Sequence, residues 1–165
     1  MPRRFHEGNE VLPPASLIKR LLAMLYDGLI CIAVLIVVTW GYTMLAAWVV
    51  GFDRYMDLAE AGKLNTDPLL SSLLFIILYL FFGYFWTRTG QTLGMQVWRI
   101  RVENSNGVSI SWVQALLRFM MGWASWIALG LGYFWMIWNK DKMTWTDKFS
   151  ESRVVYVAPP EKQKS

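Results

Sequence analysis

Lys19-Arg20-Leu21-Leu22-Ala23-Met24-Leu25-Tyr26-Asp27 decides the fold, because it places a carboxylate at the mouth of an uncharged run from Gly28 to Phe52. That run matches the length a helix needs to cross a hydrocarbon core of roughly 30 Å. Asp27 then lies below the headgroups, where an ionisable side chain is costly unless partnered, and it is the first candidate for function. The stretch before it, residues 1–16, carries Gly8, Asn9, Pro13 and Pro14 and resists helix, so it reads as a cytoplasmic tail. Ser16 is placed to cap a helix from Leu17. The apolar run is far longer than a signal-peptide core, which makes this span an uncleaved anchor.

Working outward, the first helix is expected over about 17–50, with Trp40 and Trp48 suited to an interface. Gly51 to Asp67 holds Asp53, Asp57, Glu60 and Asp67 against Arg54 and Lys63, and a loop so poor in basic residues is placed outside by the positive-inside tendency. A second span follows over about 68–87. Residues 96–111 change period: Trp98, Ile100 and Val102 alternate with Arg99, Arg101 and Glu103 before an Asn104-Ser105-Asn106-Gly107 turn, which predicts a hairpin. The third apolar segment, about 112–138, fits either one span or a pair of short helices bent at Gly130 to Gly132. Lys140, Lys142, Lys148 and Arg153 follow it closely, and that charge favours the bent, re-entrant pair. Residues 153–157 read as a strand able to join the hairpin, leaving 158–165 as a C-terminal tail. The fold class is thus an all-α integral membrane protein with two full spans, a third apolar segment and a small cytoplasmic antiparallel β-sheet, its membrane domain covering 17–157.

Composition agrees. Hydrophobic residues make up 55% of the chain, which is too apolar for an ordinary soluble domain. The net charge of +4 comes from basic residues that flank apolar blocks, so anionic lipid headgroups account for it and nucleic acid does not. Cys31 is the only cysteine and excludes an intrachain disulfide. The only histidine, His6, is expected to be solvated. No phosphate loop, metal-ligand set or hydrolase triad is present, so no metal, cofactor or enzymatic activity is expected.

Arg20 and Asp27 share a helix face but stand roughly 10 Å apart along the axis, so they cannot easily pair. Arg118, entering the third segment at a similar depth, is the expected partner of Asp27, with Arg20 and Asp147 a second, shallower pair. Paired, Asp27 stays charged; unpaired, it can carry a proton. A pair that only holds helices in register is an equal alternative.

Arg20-Leu-Leu-Ala-Met-Leu-Tyr-Asp27, Gly90-Gln-Thr-Leu-Gly94 before Arg101-Val102, Arg118, and Asp147 before Arg153-Val154-Val155 together resemble the RDD family of small bacterial membrane proteins. That family is named for an arginine and two aspartates, which match Arg20, Asp27 and Asp147. Met95 and Thr146 depart from it, standing where a lysine and a histidine are usual. The resemblance implies a multi-pass protein of the bacterial inner membrane, related to transport, with cation/proton antiport described for some members. A monovalent cation and a proton would then be its ligands. Two or three short spans enclose little, so a homo-oligomer is expected. The alternative is a non-transporting scaffold or accessory subunit that binds lipid or a partner membrane protein.

Overall fold

The structure, a computed structural model, describes residues 3–6, 12–62 and 67–158. Its elements in order are α1 (Leu17–Val50), α2 (Phe52–Glu60), α3 (Pro68–Arg88), α4 (Leu93–Val97), β1 (Ile100–Asn104), α5 (Trp112–Ile127), α6 (Leu131–Trp138), α7 (Trp145–Phe149) and β2 (Ser152–Tyr156). Helices α1 and α3 are long and apolar enough to cross a membrane, as the two uncharged runs predict. The third apolar segment is the bent pair: α5 and α6 meet at 94°. Leu129 and Gly130 make the bend with φ of 54° and 82°, and the Gly130 amide still finds the Ser125 carbonyl at 2.7 Å. Satisfying the backbone in this way is what makes a break tolerable at membrane depth.

The chain divides into two compact units, Gly28–Leu80 and the segments on either side of it. In the first, large apolar side chains such as Ile36, Val37, Trp40 and Leu45 are exposed, as expected where lipid is the solvent. Tyr42 donates to Asp67 Oδ2 at 2.6 Å, while Asp67 Oδ1 accepts from the Leu69 amide at 2.9 Å and caps α3. The Tyr42 hydroxyl holds the Asp67 carboxyl below the usual carboxylate range. The acidic stretch after α1 is not all loop: Gly51, at φ 94°, ends one helix and α2 begins at the next residue.

The second unit holds the sheet. The hairpin expected over about 96–111 does not form. Residues 93–97 are the short helix α4, and β1 pairs antiparallel with β2, Val102 opposite Val154. The strand expected at 153–157 is present as β2, one residue earlier. Residues 104–107 do turn, but Val108 bridges to Arg4 and leaves β1 to the C-terminal strand. The N-terminal segment is therefore no loose tail where it is described. Ala15 donates to the Val154 carbonyl at 2.9 Å and Pro13 accepts from Tyr156 at 2.8 Å, so this segment covers the outer edge of β2. Of the two expected tails, residues 1–2, 7–11 and 159–165 lie outside the described residues.

Two stretches of this unit share one backbone plan at a constant offset. A left-handed residue (Gly90, Lys142) precedes a threonine N-cap (Thr92, Thr144), a five-residue helix, a second left-handed residue (Arg99, Glu151) and a five-residue strand. Val102 and Val154, equivalent in this plan, face each other in the sheet, so a local two-fold axis passes between them.

Candidate functional site

Two buried carboxylates anchor the site, and their partners differ in kind. Asp147 is fully buried at the first turn of α7, inside a capping box in which Thr144 Oγ1 accepts from the Asp147 amide and Asp147 Oδ2 accepts from the Thr144 amide at 3.1 Å. Arg20 reaches the same Oδ2 from the start of α1. Arg118, on α5, donates to Oδ1 at 2.9 Å and to Ser152 Oγ at 2.6 Å. Arg20 also donates to the carbonyls of Ala15 and Val154, each at 3.2 Å, so it ties the N-terminal segment and β2 to α7. Burial opposes ionisation of Asp147, but the Arg20 and Arg118 guanidiniums outweigh it and hold the carboxyl below the usual range.

The expected Arg20–Asp147 pair is present. The expected Asp27–Arg118 pair is not: Arg118 pairs with Asp147. The reason is that α7 packs directly on α5, bringing the carboxylate of Asp147 and the hydroxyls of Ser150 and Ser152 to the Arg118 guanidinium. Arg118 also lies over the Trp86 ring at 5.5 Å.

Asp27 is 5% exposed, and its hydrogen-bond donors are neutral. Thr92 donates its hydroxyl to Oδ2, and the Gly94 amide donates to Oδ1 at 2.9 Å. The Thr92 oxygen accepts in turn from the Met95 amide at 3.3 Å, which leaves the hydroxyl hydrogen for Asp27. Gly94 has to be glycine for this approach, since a Cβ there would collide with the Ala23 backbone carbonyl oxygen and lie 3.0 Å from Asp27 Oδ1. The Thr92-Leu93-Gly94 segment, which entered the sequence reading only through the family resemblance, is thus the seat of the Asp27 carboxylate.

The two-fold plan relates this seat to the other one. Met95 occupies the third position of α4 as Asp147 does in α7, each amide donating to its threonine cap at 3.3 Å. Met95 packs into the apolar core with Ile100, Val102 and Ile110 and brings no charge to Asp27. Thr146, the other departure from the resemblance, is buried with its hydroxyl 2.7 Å from that of Thr144.

A third carboxylate is buried without any mark in the sequence. Glu103, expected on the charged face of a hairpin, is completely buried and meets Arg101, Arg153 and His6, each at 3.0 Å. His6 is therefore not a solvated tail residue, and the Phe5 amide beside it donates to the Gly107 carbonyl at 2.9 Å. Nothing local marks Glu103, because two of its three partners come from segments far away in the chain. Among the described residues no cluster of three or more His, Cys, Asp or Glu side chains is arranged to hold a metal ion.

Apolar helices that expose their side chains, with an arginine–carboxylate–arginine cluster and a second buried carboxylate, define a small membrane protein organised around internal charges. The chain belongs to the RDD family, whose model matches residues 14–151. No match is found among curated proteins or among solved structures.

Proposed function

We propose that this protein is a transport-type, multi-pass protein of the bacterial inner membrane that moves a monovalent cation against protons, and that Asp27 takes up and releases the proton. One observation carries the reading: Asp147 takes both arginines, while Asp27 is held by a hydroxyl and an amide. A carboxylate held by neutral donors gains or loses a proton without breaking an ion pair. Its two oxygens and the Thr92 hydroxyl are also ligands of the type hard cations accept. Asp147, by contrast, is locked between its arginines and serves as the joint of the unit.

Basic residues at Lys19, Arg20, Arg88, Arg99 and Arg101 support placing the sheet and both chain ends at the cytoplasmic face, where the exposed Arg88 and Arg99 can meet anionic headgroups. A homo-oligomer supplies the walls of a solvated path that two spans and a bent pair do not enclose. The reading includes no enzymatic step.

A second reading, a non-transporting scaffold or accessory subunit, draws support from the Arg20–Asp147–Arg118 cluster, which fits a static clamp equally well. Reconstituted vesicles separate the two. A transporter acidifies or alkalinises the lumen when a sodium or potassium gradient is imposed, and the Asp27→Asn variant does not; a scaffold gives no response in either form.

A further inference from the structure

We infer that α2 is an interfacial helix whose apolar face rests in the lipid headgroup region where α1 ends. Its sequence, Phe52-Asp-Arg-Tyr-Met-Asp-Leu-Ala-Glu60, sets Phe52, Tyr55, Met56 and Ala59 at the i, i+3, i+4, i+7 spacing of one helix face. Asp53, Arg54, Asp57 and Glu60 fall on the opposite arc. No residue of α2 is buried: Phe52 is 65% exposed and Met56 42%. Tyr55 and Leu58, at one margin of the apolar face, are half-buried, while Phe52 and Met56 at its centre stay open.

Continuity with the span identifies what covers the open face. The last turn of α1 exposes Trp48 by 83% and Val49 by 67%, as a lipid-facing span does, and a single residue, Gly51, separates that turn from Phe52. The apolar surface of the span thus continues around the Gly51 turn onto α2. An amphipathic helix in this setting lies along the interface with its apolar face sunk roughly 5–10 Å into the boundary of headgroups and chains. Three acidic residues against one basic residue on the polar arc point to zwitterionic lipid, since anionic headgroups would repel that arc. This inference stands apart from the transport reading and holds equally for a scaffold.

The test uses the full chain with Cys31→Ser, carrying a single fluorescent label at Met56→Cys or at Asp57→Cys, in phosphatidylcholine vesicles. Both positions are exposed, so neither label displaces a packed side chain. Lipids brominated on their chains should quench the Met56 label about twofold more than the Asp57 label, and aqueous iodide should show the reverse order. Equal iodide quenching at both positions overturns the proposal, because α2 would then stand in water. Protection at Met56 that disappears when the protein is diluted tenfold into lipid overturns it as well, because a second copy of the chain would be the cover. Unchanged protection on dilution, with bromine quenching retained, is the result expected.

Discussion

Arg20 and Asp147, 127 residues apart in the chain, form a buried ion pair, and Arg118 binds the second oxygen of the same carboxylate. Breaking the cluster at its centre leaves two arginines uncompensated. Asp147→Asn should therefore destabilise the protein by about 3–5 kcal/mol, whereas the triple change Arg20→Met, Asp147→Leu, Arg118→Met should cost less. Unfolding in detergent or vesicles compares them; an Asp147→Asn variant as stable as the triple one contradicts the clamp.

The partners chosen by Arg118 are open to a double-mutant cycle. Arg118→Gln and Asp147→Asn should be strongly non-additive, since they share one contact. Arg118→Gln and Asp27→Asn share none and should add within about 0.5 kcal/mol. A large coupling in the second cycle would restore the pair that depth along the helices predicts.

Acid should act on Asp147 late. Its carboxyl is held below the ordinary aspartate value, so its contribution is fully present above that value and is lost only as pH falls through the lowered one. The stability difference between the wild type and Asp147→Asn should stay constant from neutrality to about pH 4 and shrink in stronger acid. A difference that vanishes by pH 6 rules this out.

The seat of Asp27 predicts a compensating pair of substitutions. Met95→Asp would place a second carboxylate at the position equivalent to Asp147, beside a Thr92 hydroxyl already committed to Asp27. With no arginine to balance it, the variant should be less stable than wild type, and Asp27→Asn should recover part of the loss. Equal stability of Met95→Asp in both backgrounds would falsify the shared seat.

Topology is checked in the Cys31→Ser background with a reagent that does not cross membranes. A cysteine at Glu60, on the polar arc of α2, should label from outside, and one at Ala158 only after the vesicles are opened. Labelling of Ala158→Cys from outside moves the sheet to the other face.

The spans and the bend were legible because lipid imposes a coarse, local requirement: twenty or so uncharged residues for a crossing, and glycine where the chain must turn. The strand at Arg153 to Val157 could be read from its β-branched run, and the Arg20–Asp147 pair from matching depth, once the basic flank after Trp138 favoured a return of the chain. What could not be read depends on contacts across the fold. A count of helical rise put Arg118 level with Asp27, but rise says nothing about a competing carboxylate arriving on α7. The sequence of Thr92-Leu93-Gly94 carries no sign that its amide and hydroxyl face Asp27. Glu103 alternates with valine like a surface residue, and its burial depends on His6 and Arg153 reaching it from both ends of the chain. The two-fold plan is hidden for a related reason: between 92–104 and 144–156 only threonine, arginine and valine recur in step, at Thr92/Thr144, Arg101/Arg153 and Val102/Val154.

The most direct test of the central claim is proton movement in vesicles holding wild type, Asp27→Asn or the control Glu60→Gln, read by an internal pH dye after a sodium or potassium pulse. Wild type and Glu60→Gln should change the internal pH, and Asp27→Asn should not, although it unfolds as a single species like the others. An Asp27→Asn protein that moves protons as fast as wild type would contradict the account, as would a wild type that moves none under either ion.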